Sequence, residues 1–443
     1  MMKDKIIEVF IDIGSLKLKA IVGELSTKEN KLKILKYLET YSNGINKGKI
    51  EDTELLTIAL RELLDKLNDG LEKPIDKVNV GISSIELNSQ SENIEINLEK
   101  ETKIEERHLE ELIQRAKERI LRETEIILDS QIYNIKLEDD SVIKNPIGRI
   151  SSVLRGRVHL IFGTQEFVEK LKHCVAEAGV ELGRIILNME ATAKSILTEE
   201  DIDRGTALID IGDGTTDIGI YRQDKLIFNY SLPIGGRNFL NDLTYIEDIK
   251  NSENELVYAY EILTKYRRNN NIAGNIFYGQ NKKIKYDIVK QIIDDRMNDI
   301  VLNIKNVIEK SGFENIISKG IILTGGVLDD PIINVDELIE SIQSKIKIFT
   351  KIVIPQNYFS GLKEINSGMT SVLGLMYIIM EEEVRKEENI YYEEIEVEEE
   401  SDKNFEFQSD IEKFSDEAIE EDVEINEKAG IFGTFKKWMS HII

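Results

Sequence analysis

The chain has 443 residues, 41% of them apolar and 32% charged, which is length enough for a sizeable core and for roughly two to four domains. A formal charge of -26 excludes the basic footprint of a nucleic-acid binder. A single cysteine, Cys174, excludes an internal disulfide framework and suits a reducing compartment. The four histidines, His108, His159, His173 and His441, are scattered without metal-ligand spacing and receive no role. The N-terminus lacks the unbroken apolar core of a signal peptide, and no apolar run reaches the ~20 residues of a spanning helix. Val372 to Met380 comes nearest and reads as a core helix. The acid is concentrated late in the chain. Residues 381–427 hold 22 Asp and Glu against 4 Lys and Arg, a net of -18, whereas residues 428–443 carry three lysines.

Taken in order, Ile6 to Ile13 reads as a buried strand that delivers Asp12 and runs into Gly14 and Ser15. Leu16 to Gly23 alternates like the return arm of a hairpin, and Lys17 adds a cation where phosphate oxygens would lie. The stretch Gly44 to Ile50 superficially resembles a P-loop. It has three residues between its glycines, and Ile50 stands where Ser or Thr must meet a metal, so it is rejected as one. Glu51 to Leu71 has the spacing of an amphipathic helix, and Val78 to Ile82 that of a short buried strand. From 84 to 163 the texture changes to strand-like runs around one charged helix, Glu105 to Arg122, which reads as an inserted α+β module. A helix follows over Gln165 to Gly179, then a strand at Ile185 to Leu187 and a helix from Met189.

Ala207 to Ile211 is a second buried strand, and it delivers Asp210 into Gly212, Gly214, Thr215 and Thr216. Glycines there let backbone N–H groups approach a phosphate closely, and the hydroxyls add donors. A carboxylate beside that cradle repels phosphate unless Mg²⁺ lies between them. Asp-Ile-Gly thus ends an apolar strand twice, at Asp12 and at Asp210, and precedes an alternating strand each time. Two copies in the same context predict a duplicated unit whose strand ends face one ligand. Gly235 and Gly236 follow with Arg237. Residues 244–285 are long and polar and give no clear reading. Tyr286 to Lys310 is helical, and Gly320 to Val327 is a strand opening into the pair Gly325–Gly326, bare backbone on which a base or ribose can lie.

These motifs are recognisable together. Ile11 to Ser15 resembles the first phosphate motif of the actin-like ATPase superfamily, Leu208 to Asp217 the second, and Ile322 to Gly326 the adenosine motif. Within that superfamily the chain resembles the FtsA family of bacterial cell-division proteins, through Asn46 to Gly48, Ile143 to Gly148 and Gly235 to Asp242. The resemblance runs from about residue 6 to 380. It implies an α/β, actin-like ATPase fold: two RNase H-like domains around a nucleotide cleft, with an inserted small α+β (1C-type) module. The first domain would take residues 1–83, 164–195 and 360–380, the module 84–163, and the second domain 196–359. ATP and Mg²⁺ would be the cofactors. Asp12 and Asp210 would hold Mg²⁺ through waters, and Asp210 would orient an attacking water. Gly14, Ser15, Lys17, Gly212, Gly214 and Thr215 would bind phosphates, and Gly236, Gly325 and Gly326 would line the adenosine side. Three positions depart from the pattern. Asp213 stands where glycine is usual, and Asn188 where several members carry a water-positioning Gln or Glu. The nucleotide-contacting Glu-x-x-Lys helix has two imperfect counterparts, Glu255 with Tyr258 or Glu261 with Lys265. The expectation is therefore nucleotide binding, with Glu255 as a contact, and at most slow ATPase activity.

Residues 381–427 have the composition of a disordered acidic linker, too charged to collapse, with a reach of roughly 35–40 Å as a flexible coil. Ile431, Phe432, Phe435, Trp438, Met439, Ile442 and Ile443 then fall on one face of a helix, with Lys436 and Lys437 on the other, the pattern of an interfacial membrane helix. The reading is a membrane-tethered scaffold on the cytoplasmic face at the division site. It would self-associate into filaments, bind lipid through residues 428–443, meet other division proteins and, by resemblance, link FtsZ to the membrane. A PilM-like adaptor is the alternative. An Hsp70-like chaperone would need a substrate-binding domain after the ATPase, and a sugar kinase would need an aspartate serving a sugar pocket.

Overall fold

A computed structural model of the chain describes residues 5–26, 31–250, 252–268, 274–355, 361–362 and 364–383. The acidic linker beyond residue 383 and the amphipathic segment 428–443 lie outside the described residues, and so do the side chains expected at a membrane.

The chain opens with an antiparallel meander, β1 (Lys5–Ile13), β2 (Lys17–Ser26) and β3 (Lys31–Tyr41). A two-residue pair follows, β4 (Ile45–Asn46) with β5 (Lys49–Ile50), then α1 (Thr53–Asn68) and β6 (Lys77–Ile82), which lies parallel to β1. The α1 helix starts where the Asp52 side chain accepts the Leu55 N–H at 3.0 Å, a standard N-cap. Its leucines at 56, 60, 63, 64 and 67 recur at helical spacing and are buried on the sheet. The inserted segment forms its own sheet from β7 (Asn88–Lys103), β8 (Glu125–Lys136), β9 (Val142–Ile143) and β10 (Ile150–Thr164), in the order β7-β10-β8-β9. Across it lies α2 (Glu106–Ile120), with Leu112 and Ala116 packed among Ile94, Ile96, Leu154 and Val158. His108 has a structural task there: its Nδ1 accepts the Glu105 N–H at 2.9 Å and closes a capping box.

After α3 (Gln165–Glu177), β11 (Glu181–Leu187) pairs parallel to β6 and completes a five-stranded sheet of order β11-β6-β1-β2-β3. Helices α4 (Asn188–Ile196) and α5 (Glu199–Arg204) lead to β12 (Thr206–Ile211), β13 (Thr216–Arg222) and β14 (Lys225–Leu232), another antiparallel meander. Then come α6 (Arg237–Thr244), α7 (Glu255–Arg268), the hairpin β15 (Asn275–Tyr278) with β16 (Lys282–Lys285), and α8 (Tyr286–Ser311). The chain returns through β17 (Ile321–Thr324), α9 (Val335–Ile346) and β18 (Thr350–Ile352) to a last helix, α10, over residues 370–383. The second five-stranded sheet has the order β14-β13-β12-β17-β18.

The two large sheets repeat one topology. Each is three antiparallel strands followed by two parallel ones, with β1 and β12 at equivalent central positions. These are the two RNase H-like halves of the actin-like fold, and the carboxylates Asp12 and Asp210 end the equivalent strands. The first half is closed on its second face by α10, whose Val372, Leu373, Leu375, Met376 and Met380 are fully buried. The acidic composition from Glu381 onward does not end that helix at 380. Glu381 is paired with Lys194 and Glu382 with Arg184, so α10 continues to 383. The unread stretch 244–285 contains α7 and the hairpin. Its helix buries Ala259, Ile262 and Leu263 yet exposes Leu256, Val257 and Tyr260, which blurs its amphipathic pattern. The module is anchored to the second half by Tyr133, which is buried in that half's core, and by Arg157, whose guanidinium lies over the rings of Tyr133 and Phe313. Among the described residues no helix is long and apolar enough to cross a membrane.

Candidate functional site

The strand registers decide what faces Asp12 and Asp210. Across its hairpin Asp12 pairs with Lys19, and on its parallel side with Gly81. Asp210 pairs equivalently with Asp217 and with Thr324. Asp12 is buried and engaged on both oxygens: Oδ1 accepts from the Asn188 amide at 2.8 Å, and Oδ2 accepts from the Ser371 hydroxyl at 2.6 Å with the Lys19 ammonium 3.7 Å away. Gly81 makes room for this, since a Cβ there would come 2.4 Å from the Asn188 side-chain oxygen. Asp210 is half-buried, and its hydrogen bond from the Thr192 hydroxyl is long at 3.4 Å. Burial, reinforced by the neighbouring Asp217 and Asp12, pushes its carboxyl up to about 7, against the pull of Lys19. Burial also raises Asp217, which accepts from the Ser231 and Thr215 hydroxyls.

The two glycine turns have one build. The Gly14 N–H donates to the Lys17 carbonyl at 3.2 Å and the Gly212 N–H to the Thr215 carbonyl at 2.9 Å. They also touch each other. A Cβ on Gly214 would fall 2.5 Å from the Ser15 hydroxyl and 3.2 Å from the Cα of Lys47. The Ser15 hydroxyl in turn accepts the Gly48 N–H at 3.0 Å. The segment rejected as a P-loop therefore buttresses the two glycine turns from outside. Gly325, at φ +109°, is the third close approach: a Cβ there would meet Asp210 Oδ1 at 2.4 Å.

Between the two halves these turns line one cavity of about 510 Å³. Asp12, Gly14, Ser15 and Lys17 border it from the first half, and Asp210, Gly212, Gly214, Thr215, Gly236, Gly325 and Gly326 from the second. Glu255 does not border it. The α7 helix meets the cavity at Leu263 and Arg267, two to three turns from Glu255, or roughly 12–18 Å along its axis. Glu261 and Lys265 are committed to the hairpin, accepting from Gly279 N–H and donating to the Phe277 carbonyl. The helical contact with the cavity is thus real in its element but displaced in its residue. Arg267 is held there by a two-pronged pair with Asp330, Nε to Oδ1 at 2.7 Å.

Further residues at the cavity were given no role from the sequence. Lys19 and Asp217 border the cavity, each seven residues after its aspartate, so the repeated hairpin spacing was a usable signal for both. Lys17 is paired with Glu39, which also accepts from the Tyr37 hydroxyl at 3.2 Å. Asp213 is paired with Arg237, Nε to Oδ2 at 3.0 Å, so the charge expected to stand alone beside the phosphates is compensated.

Residues 85–162 match the model of the SHS2 domain inserted in FtsA. The cell division protein FtsA of Buchnera aphidicola from Schizaphis graminum is 29% identical over 337 residues, covering 73% of this chain and 80% of that protein. The FtsA of Borreliella burgdorferi is 26% identical over 381 residues, covering 83% and 89% respectively. The chain is FtsA-like. Its fold is also similar to that of a solved PilM–PilN type IV pilus biogenesis complex, with a TM-score of 0.58 at 14% identity over 83% of this chain and 97% of that one. For the FtsA-like chain the inserted β7–β10 module is the specific mark, because the doubled sheets belong to actin-like folds at large.

Proposed function

We propose that the chain is a membrane-tethered, ATP-binding scaffold of bacterial cell division, which self-associates and anchors FtsZ filaments to the cytoplasmic face of the membrane. One observation carries the nucleotide part: residues from three glycine turns far apart in sequence border a single cavity between the duplicated sheets. The resemblance to FtsA supports the division role, and residues 428–443 support the tether.

The residues present fit ATP with Mg²⁺. The turns at Gly14, Gly212 and Gly214 admit a phosphate without side-chain bulk; the Gly14 and Gly212 N–H groups and the Thr215 hydroxyl already donate within the turns, whereas Ser15, whose oxygen accepts from Gly48, keeps its O–H to donate. Lys17 and Lys19 supply cations. Asp12 already has a hydrogen bond on each oxygen, so Asp210 is the freer carboxylate for a hydrated metal. When bound, Mg²⁺ neutralises phosphate charge. Hydrolysis is slow in this reading, because the Asn188 amide nitrogen is committed to Asp12 and its side-chain oxygen is buried away from solvent. The seven apolar residues from Ile431 to Ile443 supply several net kcal/mol at an interface, at ~1.5–3 kcal/mol for each fully buried side chain before ordering costs. One copy binds weakly, and polymerisation raises the avidity.

The test is made on the full chain. Fluorescent-ATP titration with and without Mg²⁺ should give Mg²⁺-dependent binding that weakens about tenfold or more in Asp210→Asn. Co-pelleting with anionic vesicles should recruit FtsZ filaments, and deletion of 430–443 should abolish pelleting. Mg²⁺-independent binding unaffected by Asp210→Asn, vesicle binding retained after the deletion, or a turnover of tens per second would each refute the corresponding part. A PilM-like role has only the shared fold behind it.

A further inference from the structure

The turn between β12 and β13 carries an acid where a phosphate cradle is normally free of negative charge. Asp213 borders the cavity, and its side chain is 19% exposed. Burial raises its carboxyl above the usual carboxylate range, while Arg237 opposes the shift.

The surroundings of that acid are built to a close tolerance. The Gly236 N–H donates to the Gly212 carbonyl at 3.0 Å and the Arg237 N–H to the Asp213 carbonyl at 2.8 Å. The same residue then returns with its side chain, Nε donating to Asp213 Oδ2 at 3.0 Å. Such an approach needs bare backbone: a Cβ on Gly235 would lie 2.4 Å from the Gly212 carbonyl oxygen and 2.5 Å from that of Asp213. Arg237 is the first residue of α6, so the helix fixes where its side chain starts. The other rim acid beside Asp213 is Asp330, and it is already held by Arg267. Asp213 therefore depends on Arg237 for its counter-charge.

We propose that Asp213 and Arg237 form a built-in charge-compensating pair that sets the affinity of this cavity for polyphosphate, with Arg237 as a positioning residue acting through Asp213. The inference rests on the nucleotide-binding reading above. With Arg237 in place the Asp213 charge is cancelled beside the phosphate turn, and the turn and α6 are held as one piece. Without it, a half-buried carboxylate faces the phosphates across a medium of intermediate polarity, and like charges several ångströms apart there repel. The penalty grows with phosphate charge, which a purely structural defect would not reproduce.

The experiment is a double-mutant cycle in the full chain, read by titration with ATP, ADP and adenosine. Arg237→Gln should weaken ATP on the order of tenfold, ADP less, and adenosine hardly at all. Asp213→Asn should leave ATP binding unchanged or tighter. In the Asp213→Asn background, Arg237→Gln should cost less than about twofold, because no charge remains to be cancelled. Arg237→Lys, which keeps the charge, should stay within a few-fold of the parent and guards against misfolding of the Gln variant. An equal loss for adenosine and ATP, or the same loss from Arg237→Gln in both backgrounds, overturns the proposal. A parent chain that binds none of the three refutes the nucleotide reading itself, a distinct result from binding without the coupling.

Discussion

Replacing Gly374 by alanine separates helix propensity from packing, because the two predict opposite signs. Gly374 lies inside α10, where alanine is worth up to about 1 kcal/mol over glycine by propensity alone. In this fold a Cβ at 374 would sit 1.6 Å from the Ala191 carbonyl oxygen and 2.3 Å from its carbon, both backbone atoms of α4. Normal contact requires the helices to part by roughly 1.5–2 Å, and overpacking of this kind costs about 1–3 kcal/mol or more. The net expectation is a loss of about 1–2 kcal/mol. The same crossing also positions the cavity. Helix α10 brings Ser371 and α4 brings Asn188 to the two oxygens of Asp12, so parting the helices lengthens both hydrogen bonds. Urea unfolding of Gly374→Ala should show the lower stability, and ATP titration should show weaker binding. A gain of about 1 kcal/mol with ATP affinity unchanged would refute the packing argument.

Two pH profiles should run in opposite directions. Asp210 has its carboxyl raised to about 7 from 3.8, so in metal-free protein its stabilising contribution is full below pH 4 and is lost as pH rises through 7. Asp210→Asn should flatten that fall and exceed the parent at pH 8 by up to about 4 kcal/mol in urea melts. Buried His159 is lowered to about 4 from 6.5 by burial and by Arg157, so its contribution is full above pH 6.5 and is lost as pH falls through 4. His159→Gln should flatten the acid limb by about 3 kcal/mol, and an unchanged acid limb would exclude His159 as its source.

How much of this was legible depended on whether the information is local. The strands, the glycine turns and the two aspartates are written in contiguous residues, and their repetition announced a duplicated unit. The α7 contact was misassigned from Glu255 because a helix reaching a cavity presents whichever turn the tertiary packing selects, here that of Leu263 and Arg267. The partners of Asp12 come from positions 188 and 371, and no local pattern links either to position 12. Gly374 reads as a helix-weakening residue until Ala191 is seen against it. Asp213 is the instructive case. Its sequence context makes it a defect, and only the close approach of Gly235 and Gly236 brings in the arginine that compensates it.

The duplicated halves are alike in topology and unlike in charge, and that difference gives the cavity a direction. At the equivalent hairpin positions opposite the two aspartates stand Lys19 and Asp217. The first half thus presents Lys19 and the Lys17–Glu39 pair to the cavity, with Asp12 tied down between Asn188 and Ser371. The second half gathers Asp210 and Asp217, with Asp213 already paired to Arg237, and burial raises the carboxyls of Asp210 and Asp217. A polyphosphate alone is attracted by one wall and repelled by the other, whereas a polyphosphate carrying a divalent cation satisfies both. Mg²⁺ dependence should therefore come mainly from the second half. Asp217→Asn lowers the negative charge beside Asp210 and should reduce the gain in ATP affinity that Mg²⁺ confers. Lys19→Gln should weaken ATP binding by a similar factor with or without Mg²⁺. Titrations that gave both variants the same Mg²⁺ response would remove the basis for this division between the halves.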